Sequence, residues 1–535
     1  MKQTQDDITR LDYIVVVLLI LLVGTLGIFH LDNTCYWGDD FAAYISEGIA
    51  IADGTLDQQT TLNALMHPSY LPEDLRADRV TYVWGYPLLL SVIYRLVGFD
   101  RVSFHSVVYY KLPSVICFAL LAGVFYLFLR RRFSRPLSLA LSTAFAGYEG
   151  FFEFVDTLYS DIVFLFFFLL SLYLIELFLS ERKPRMRVLY GIVSGIAIWY
   201  TYEVRLNGIS VLFAAVLAQS INYIKAHRLP SLHELPTEIS PYVSFALLVF
   251  LSTLILPTST KDSGVSLWLF RENLVYYLDM VTNWFGLLVI NPLYVLVSSF
   301  TDSLNYDCVI DATHVIGCVL LSLCFVGFLF SDKRQNLYLI ILSAVYYFAV
   351  CLLPYQQGMR YIYPLLPILL VFVGQGFAAL ARVTHIVFPH FKCSKYAVSI
   401  LCAALSVLAF VPIVKTDIGI THGQTKVSIA AEISGAYRYN IYSDNPVAVY
   451  NYISENTPSD CKIGFIKPRA LYLNTERVSI PVGINGHSLD EVDYYLCWEH
   501  VGEEQLTPEW RARFMQVFSN TEFTLYKKIG ASDER

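Results

Sequence analysis

Apolar runs of close to twenty residues alternate with short polar connections along most of the chain. The runs cover residues 13–30, 106–129, 136–150, 160–179, 188–202, 207–224, 241–258, 312–330, 337–354, 361–381 and 397–414. An α-helix needs about 20 apolar residues to cross the ~30 Å hydrocarbon layer of a bilayer. The pattern therefore predicts an α-helical polytopic membrane protein with about eleven spans. No small-x-small cleavage site follows the first run, which indicates an uncleaved anchor.

Basic residues in the connections predict which way the chain crosses the membrane. Clusters of Lys and Arg occur at 130–135, 182–187, 333–334 and 382–395, with a weaker one at 225–228. Such clusters concentrate on the cytoplasmic side, so an even number of crossings must separate them. We therefore interpret 82–98 as an interfacial helix and 281–300 as part of a long outer loop, 259–311. The N-terminus is then cytoplasmic, and the C-terminal tail lies outside.

The tail is polar and differs sharply in composition from the apolar runs. It contains two strand-like segments, KIGFI and FTLYKKI, and a turn signal over 456–460. We predict that residues 1–415, including a first outer loop over 32–105, form a transmembrane unit and that 416–535 form a small soluble α/β domain. Cys461 and Cys497 would form a disulfide in an oxidising compartment, while two reduced thiols in a small core fit the sequence equally well.

Composition narrows the class of protein. The chain has 535 residues, of which 56% are apolar and 16% charged, where an ordinary globular protein carries about 25% charged residues. This excludes a soluble multidomain protein. The net charge of −7 excludes a basic nucleic-acid binder and leaves a small molecule, lipid or glycan as the substrate. The ten cysteines are scattered and form no zinc-binding pattern.

Two adjacent acids, Asp39 and Asp40, stand in the predicted first outer loop just after the first span. Adjacent carboxylates at a membrane surface repel each other and are expensive to desolvate, which favours a functional role. Asp39 also precedes a helical pattern of apolar residues, where an acidic N-cap is expected. Both interpretations stay open at this point.

A second acidic stretch lies in the next predicted outer connection. Glu149, Glu153, Asp156 and Asp161 are interleaved with Phe and Tyr and have no basic neighbour in the stretch. Such acids can bind a cation or accept a proton, and Asp161 also suits a helix N-terminus. Asp161 and His67 are the candidate ligands for a divalent cation, although a solvated loop histidine explains His67 as well.

Three basic residues flank apolar runs on the same predicted side: Arg205, Arg360 and Lys111. Arginine is suited to bidentate phosphate contacts. Basic residues at the ends of spans also snorkel to lipid headgroups, and Glu203 is close enough in sequence to pair with Arg205. Acids and arginines at one face favour an enzyme that acts on a membrane-bound phosphate ester. A transporter would carry its ionisable residues at mid-membrane and show internal repeats.

Four motifs occur in order along the chain: GDDFAAY at 38–44, WGYPLLL from 84 to a Val-Gly at 97–98, RYIYPLLP at 360–367 and KPRALY with TER at 467–477. In this order they resemble the GT-C superfamily of polytopic glycosyltransferases, which take a sugar from a polyprenyl-phosphate donor. Relatives include protein O-mannosyltransferases and lipid A aminoarabinose transferases. The chain departs from the family pattern at Asp40, where Glu is usual, at Trp84-Gly85, where Pro-Pro or His-Pro is common, and at Glu476, where Gly is usual.

The resemblance implies a role for each acid. Asp39 would be the general base that activates the acceptor hydroxyl, a contribution of typically ~10²–10⁴-fold. Asp40 would be its neighbour. Asp161 would orient the acceptor or hold a divalent cation.

The resemblance also implies where substrates bind. Arg360, with Arg205 and Lys111, would bind the donor phosphate, whose charge grows as the sugar C1–O bond breaks. Tyr361 and Tyr86 lie within the motifs and are further substrate-binding candidates. The expected activity is inverting transfer of a hexosyl or pentosyl group to a lipid, glycan or protein acceptor at the outer face of the cell membrane. The alternatives are a transporter or flippase of a lipid-linked glycan and, less favoured by these motifs, a membrane-anchored scaffold.

Overall fold

Apolar helices make up most of the chain in a computed structural model that describes residues 8–35, 39–66, 82–97, 106–227, 230–256, 269–298, 306–353, 356, 358–387, 395–421, 440–482, 488–499 and 507–529. The helices before the tail are α1 (Arg10–His30), α2 (Asp39–Asp53), α3 (Leu56–Met66), α4 (Gly85–Val97), α5 (Val107–Arg130), α6 (Arg135–Ala146), α7 (Glu149–Val155), α8 (Asp161–Ser180), α9 (Pro184–Val204), α10 (Ile209–Lys225), α11 (Leu235–Ile255), α12 (Phe270–Ser298), α13 (Tyr306–Phe330), α14 (Lys333–Cys351), α15 (Leu366–Val387), α16 (Lys395–Leu408) and α17 (Val411–Thr421).

Nine stretches of the described chain are helical, long enough and apolar enough to cross a membrane: Arg10–His30, Val107–Arg130, Asp161–Ser180, Leu206–Lys225, Leu235–Ile255, Phe270–Val297, Val309–Phe330, Tyr363–Val383 and Val398–Ile418. Helix α9 has 21 residues and α14 has 19, which at 1.5 Å per residue gives roughly 30 Å each. With these two less apolar helices the number of possible crossings is about eleven, so the predicted polytopic α-helical architecture is confirmed.

The apolar helices that could cross the membrane differ from the predicted spans at two places. Residues 281–300, interpreted as outer loop, belong mostly to α12, a helix of 29 residues. Its polar residues lower the hydropathy of the segment. One of them, Asn291, donates a hydrogen bond of 3.0 Å to Glu149 inside the protein. Conversely, the predicted span 136–150 breaks at Gly147, where an added Cβ would lie 2.4 Å from the carbonyl oxygen of Ala409.

Different charged groups lie at the two ends of the helical bundle. At the end where α1 begins, the buried Asp12 pairs with Arg130 at 2.8 Å and with Arg135 at 3.1 Å. At the other end, α1 finishes at His30, and α5 begins beside it because the two helices run antiparallel. Helix α4, in the segment predicted as an interfacial helix, has only 13 residues and packs on α2 at this second end, called here the His30 end.

The described part of the tail forms a five-stranded sheet and three helices. Its strands are β1 (Lys462–Gly464), β2 (Val478–Ile480), β3 (Tyr494–Trp498), β4 (Phe514–Ser519) and β5 (Phe523–Lys528), in the order β2-β1-β3-β5-β4. Strand β1 is parallel to β2 and β3, and the other pairs are antiparallel. The helices are α18 (Asp444–Asn456), α19 (Pro468–Thr475) and the short α20 (Pro508–Arg511). Both predicted strand segments are therefore present, as β1 and β5.

Cys461 and Cys497 are free thiols in this structure, and both are buried. Cys461 packs with Phe465 and Phe523 in one apolar cluster of the tail, and Cys497 packs with Phe514 in another. Because alternate residues of β3 belong to the two clusters, the two cysteines lie on opposite faces of the sheet.

The tail docks directly on the His30 end of the bundle. The backbone N–H of Ile441 donates to the carbonyl of Cys35 at 2.8 Å, and the N–H of Cys35 donates to Oδ1 of Asn440 at 3.0 Å. Ala470 and Tyr442 of the tail belong to the main apolar cluster of the membrane part. These contacts hold α19 against α2.

Candidate active site

Asp39 and Asp40 form the first turn of α2, where the positive end of the helix dipole favours acidic side chains. Asp39 does cap a helix, but the helix belongs to the tail: its Oδ1 accepts hydrogen bonds from the backbone N–H groups of Arg469, at 3.1 Å, and Ala470, at 3.2 Å. Both donors lie in the first turn of α19, whose unpaired N–H groups need an acceptor. The sequence predicted Asp39 as a cap of the helix that follows it, whereas the structure shows Asp39 inside the first turn of that helix and hydrogen-bonded to a helix of the tail.

Arg469 compensates the two adjacent carboxylates. Its Nε lies 3.8 Å from Oδ2 of Asp39, and a terminal nitrogen lies 3.8 Å from Oδ1 of Asp40. The same guanidinium donates a 2.9 Å hydrogen bond to the hydroxyl of Tyr82, and that hydroxyl donates to Asp40. Burial raises the pKa of Asp39, while the charge of Arg469 and the N–H of Ala470 partly offset it, so the net direction is upward.

Asp161 and Arg205 form a second charged pair, which adjoins α2. The carboxylate of Asp161 lies 2.7 Å from a terminal nitrogen of Arg205. Nε of Arg205 donates to the hydroxyl of Ser160 at 3.0 Å, and that hydroxyl lies 3.3 Å from the hydroxyl of Tyr44 on α2. The neighbour in sequence, Glu203, instead accepts hydrogen bonds from Trp199 and Ser252.

Arg360 lies in the short 3-10 turn Met359–Tyr361, which precedes α15. Its guanidinium packs over the rings of Tyr159, at 5.4 Å, and Tyr361, at 5.5 Å. Within the described ranges it makes no ion pair or hydrogen bond, and its Nε is buried without a partner. Burial lowers the pKa of Arg360, but the charges of Asp161 and Asp40 outweigh that effect and raise it. Arg360 therefore lies within the electrostatic reach of both acids.

The two tyrosines of the motifs lie beside these charged groups. The ring of Tyr361 also lies 5.6 Å from the guanidinium of Arg205, so both arginines contact the same ring. Tyr86 is fully buried, and its ring centroid lies 5.1 Å from that of Tyr44 in an edge-to-face arrangement. An added Cβ at Gly85 would lie 2.7 Å from the backbone of Glu203, so α4 packs closely against the end of α9 at this position.

Lys111 is fully buried and uses all three of its donors inside the protein. It donates to the carbonyl oxygens of Asp32 at 2.9 Å and Thr34 at 2.7 Å and to the carboxylate of Asp156 at 2.9 Å. These contacts fix the backbone that leads from α1 towards Asp39. The structure thus places Lys111 near the candidate base with no donor left for a ligand, and its part in phosphate binding stays a prediction.

The second acidic stretch is divided among separate partners. Asp156 pairs with Lys111, Asp161 pairs with Arg205, and Glu149 accepts from Asn291, with burial raising the pKa of Glu149. Across the described segments, no group of three or more His, Cys, Asp or Glu side chains is arranged to hold a metal ion. His67 lies outside the described residues.

Comparisons with known proteins agree with the resemblance that the motifs carry. A family model described as dolichyl-phosphate-mannose-protein mannosyltransferase matches residues 85–235. No curated protein matches the chain. The crystal structure of ArnT from Cupriavidus metallidurans bound to undecaprenyl phosphate is similar, with a TM-score of 0.53 and 10% sequence identity over 96% of this chain and 98% of that chain. The apo structure of ArnT gives a TM-score of 0.52 and 11% identity over the same shares.

At 10% and 11% sequence identity, the similarity to the two solved structures shows the fold alone. The chain has the ArnT-like GT-C fold over nearly its whole length, including the tail. The family model covers the stretch from α4 into the start of α11, which contains Asp161 and Arg205. The other candidate site residues, Asp39, Arg360 and Arg469, lie outside that stretch and are brought to it by the fold.

Proposed function

We propose that the chain is an inverting glycosyltransferase that moves a sugar from a polyprenyl-phosphate donor to an envelope acceptor at the outer face of the membrane. The observation that carries this proposal is Arg360, a half-buried guanidinium without a carboxylate partner among the described residues. A desolvated charge without a counterion is costly, so the position favours an anionic ligand. The match to a mannosyltransferase family model and the fold of ArnT, crystallised with undecaprenyl phosphate, support a phosphate as that anion.

The reaction is a single displacement. The oxygen of the acceptor hydroxyl forms a bond to C1 of the sugar, the C1–O bond to the phosphate breaks, and its electron pair remains on the phosphate oxygen. Asp39 takes the hydroxyl proton and later releases it to solvent. Arg360 and Arg205 face the negative charge that develops on the leaving phosphate. One displacement inverts the configuration at C1, and the products are the glycosylated acceptor and polyprenyl phosphate.

The proposed orientation puts the site at the outer leaflet. The basic residues 130–135 lie at the end of the bundle where α1 begins, and the candidate site lies at the opposite, His30 end. The positive-inside rule then places the N-terminus in the cytoplasm and the tail outside. Reporter fusions that are active on only one side of the membrane, joined to the N-terminus and the C-terminus, test this arrangement.

Transfer is tested with purified chain in vesicles that contain a radiolabelled polyprenyl-phosphate sugar and the envelope fraction of a strain lacking the protein. The expected result is a new glycosidic bond in that fraction, lost in Asp39→Asn and in Arg360→Gln. Arg382→Gln is a matched control, because Arg382 is an exposed arginine on the same helix that follows Arg360. Movement of labelled lipid across the bilayer without a new glycosidic bond would instead indicate a flippase.

A further inference from the structure

The tail reaches the candidate base through a contact between residues 430 positions apart in sequence. Oδ1 of Asp39 accepts both hydrogen bonds from the first turn of α19. Oδ2 accepts no hydrogen bond within the described part of the chain and lies 3.8 Å from Nε of Arg469. The side chain of Asp39 keeps 18% of its surface exposed. The two oxygens of this carboxylate therefore have different surroundings: two hydrogen bonds hold Oδ1, while Oδ2 accepts none from the described residues.

Arg469 is oriented towards both acids. Its side chain is 6% exposed, it packs over the ring of Tyr82, and its Nε has no hydrogen-bond partner. The hydroxyl of Tyr82 links Arg469 to Asp40. A buried guanidinium needs carboxylates near it, and the only two with which it pairs within 4 Å in the described chain are Asp39 and Asp40. The position of Arg469 is thus explained by the acidic pair and not by the packing of the tail alone.

We infer that the tail completes the active site: backbone N–H groups of α19 hold Oδ1 of Asp39, the Arg469 guanidinium lies beside Oδ2, and Oδ2 is the atom that receives the proton of the acceptor hydroxyl. This inference rests on the proposed function, in which Asp39 is the general base. Arg469 acts through Asp39 and is a positioning residue. A carboxylate fixed by two backbone donors cannot rotate freely, which keeps Oδ2 aimed at one point.

The same contacts set the acidity of the base. Burial and the charge of the adjacent Asp40 raise the pKa of Asp39, whereas the charges of Arg469 and Lys467 and the N–H of Ala470 lower it. Without the charge of Arg469 the pKa of Asp39 rises further, and a larger fraction of the base is protonated at low pH. An opposite charge within ~4–6 Å shifts the pKa of a carboxyl group by roughly 1–3 units.

The test compares kcat/KM over a pH series for the wild type, Arg469→Gln, Arg469→Lys and Arg513→Gln. In Arg469→Gln the acid limb of the profile is expected to move upward by about 1 unit or more. The loss is then at least about tenfold at low pH and small at high pH. Arg469→Lys restores the position of the limb because it restores the charge. Arg513→Gln, an exposed arginine of the same tail paired with Asp490, leaves the profile unchanged.

Folding is checked by size-exclusion chromatography of each variant in detergent. If Arg469→Gln does not fold, Lys467→Gln carries the test, since it removes a second, less buried charge near Asp39 and is expected to move the limb upward by a smaller amount. An unchanged limb in the variant that folds would overturn the inference, as would a loss that is equal at every pH and is not restored by Arg469→Lys.

The two proposals fail in different ways. If the wild type forms no glycosidic bond, or if Asp39→Asn is fully active, the proposed function is wrong. If Asp39→Asn is inactive while Arg469→Gln keeps the wild-type rate and profile, only the role of the tail is wrong.

Discussion

Arg205 and Arg360 share the ring of Tyr361 but differ in their counterions, and their removal should therefore have different effects on stability. Arg205 pairs with Asp161, whose side chain is 1% exposed, at 2.7 Å. Arg205→Gln leaves that carboxylate buried and unpaired, which costs about 3–5 kcal/mol of stability. Arg360 has no ion pair in the described chain, so Arg360→Gln leaves no acid behind and should be close to neutral for stability.

Both substitutions should slow glycosyl transfer. A charge-assisted hydrogen bond to phosphate contributes about 1.5–3 kcal/mol, and about 1.36 kcal/mol corresponds to a factor of ten in rate. Loss of Arg360 should thus lower kcat by roughly 10- to 150-fold if the contact strengthens in the transition state. If the contact is equally strong in the ground state, the loss appears in KM for the donor instead. Arg360→Lys keeps the charge but not the planar guanidinium. Its activity should therefore lie between those of the wild type and Arg360→Gln.

Thermal unfolding of the detergent-purified variants and the radiolabelled transfer assay together measure both effects. The expected pattern is a stable, inactive Arg360→Gln and an unstable, inactive Arg205→Gln, with Arg382→Gln like the wild type in both assays. An Arg360→Gln variant that unfolds as early as Arg205→Gln would show that Arg360 has an internal partner after all. Full activity of Arg360→Gln would show that the donor phosphate does not bind at Arg360 and would refute the reasoning.

Three further predictions concern the neighbouring groups. Lys111→Met removes the cation paired with the buried carboxylate of Asp156 and should lower stability by about 3–5 kcal/mol; normal thermal unfolding with a raised donor KM would instead put Lys111 in the phosphate site. Because burial raises the pKa of Asp39, a base that acts only when deprotonated should lose activity as pH falls through a pKa above the ordinary 3.8, and the pH dependence of kcat/KM measures this limb. Treatment with a chelator should leave transfer unchanged, since Arg205 already supplies the positive charge at Asp161; loss of activity that Mg²⁺ or Mn²⁺ restores would support a cation site.

Hydropathy predicted the helical part of the fold because the bilayer imposes a length and a composition on each span. It failed where that constraint is relaxed. Helix α12 carries Asn291 and other polar residues because its partners in the bundle, such as Glu149, satisfy them. The segment 136–150 is mostly apolar, but the helix ends before Gly147, where only a residue without a side chain allows the close approach to Ala409.

The acids of the site and two of its arginines, Arg205 and Arg360, were predicted from the sequence, but their partners were not. The partner of Lys111 is Asp156, 45 residues away, and the partner of Asp39 is Arg469. Neither distance in sequence gives a periodic signal that a single chain could reveal. The motif at 467–477 did point to Arg469, although it carried no role. Long-range contacts of this kind are set by how helices and domains pack, and composition and spacing do not encode that packing locally.

On the proposed function, the charges at the His30 end fit a donor that is a phosphate diester. Lys111 is matched by Asp32 and Asp156, Arg469 by Asp39 and Asp40, and Arg205 by Asp161, each within 4 Å. Of the three arginines of the described site, only Arg360 has no carboxylate within 4 Å in the described chain, and the donor of the proposed function, a sugar joined to a polyprenyl phosphate, carries a single negative charge.

Transfer converts that diester to a monoester, whose charge at neutral pH is about −1.5 to −2. The additional charge arises in the displacement itself, and Arg205 is a further cation against the same ring of Tyr361, at 5.6 Å. On the proposed function, Arg360 therefore binds the charge that the donor brings, and Arg205 stabilises the charge that the reaction creates. In that case Arg205→Lys, which keeps the pair with Asp161, should lower kcat more than it raises KM for the donor, whereas Arg360→Lys should change both. Equal effects of the two lysine variants on KM alone would contradict this division of roles.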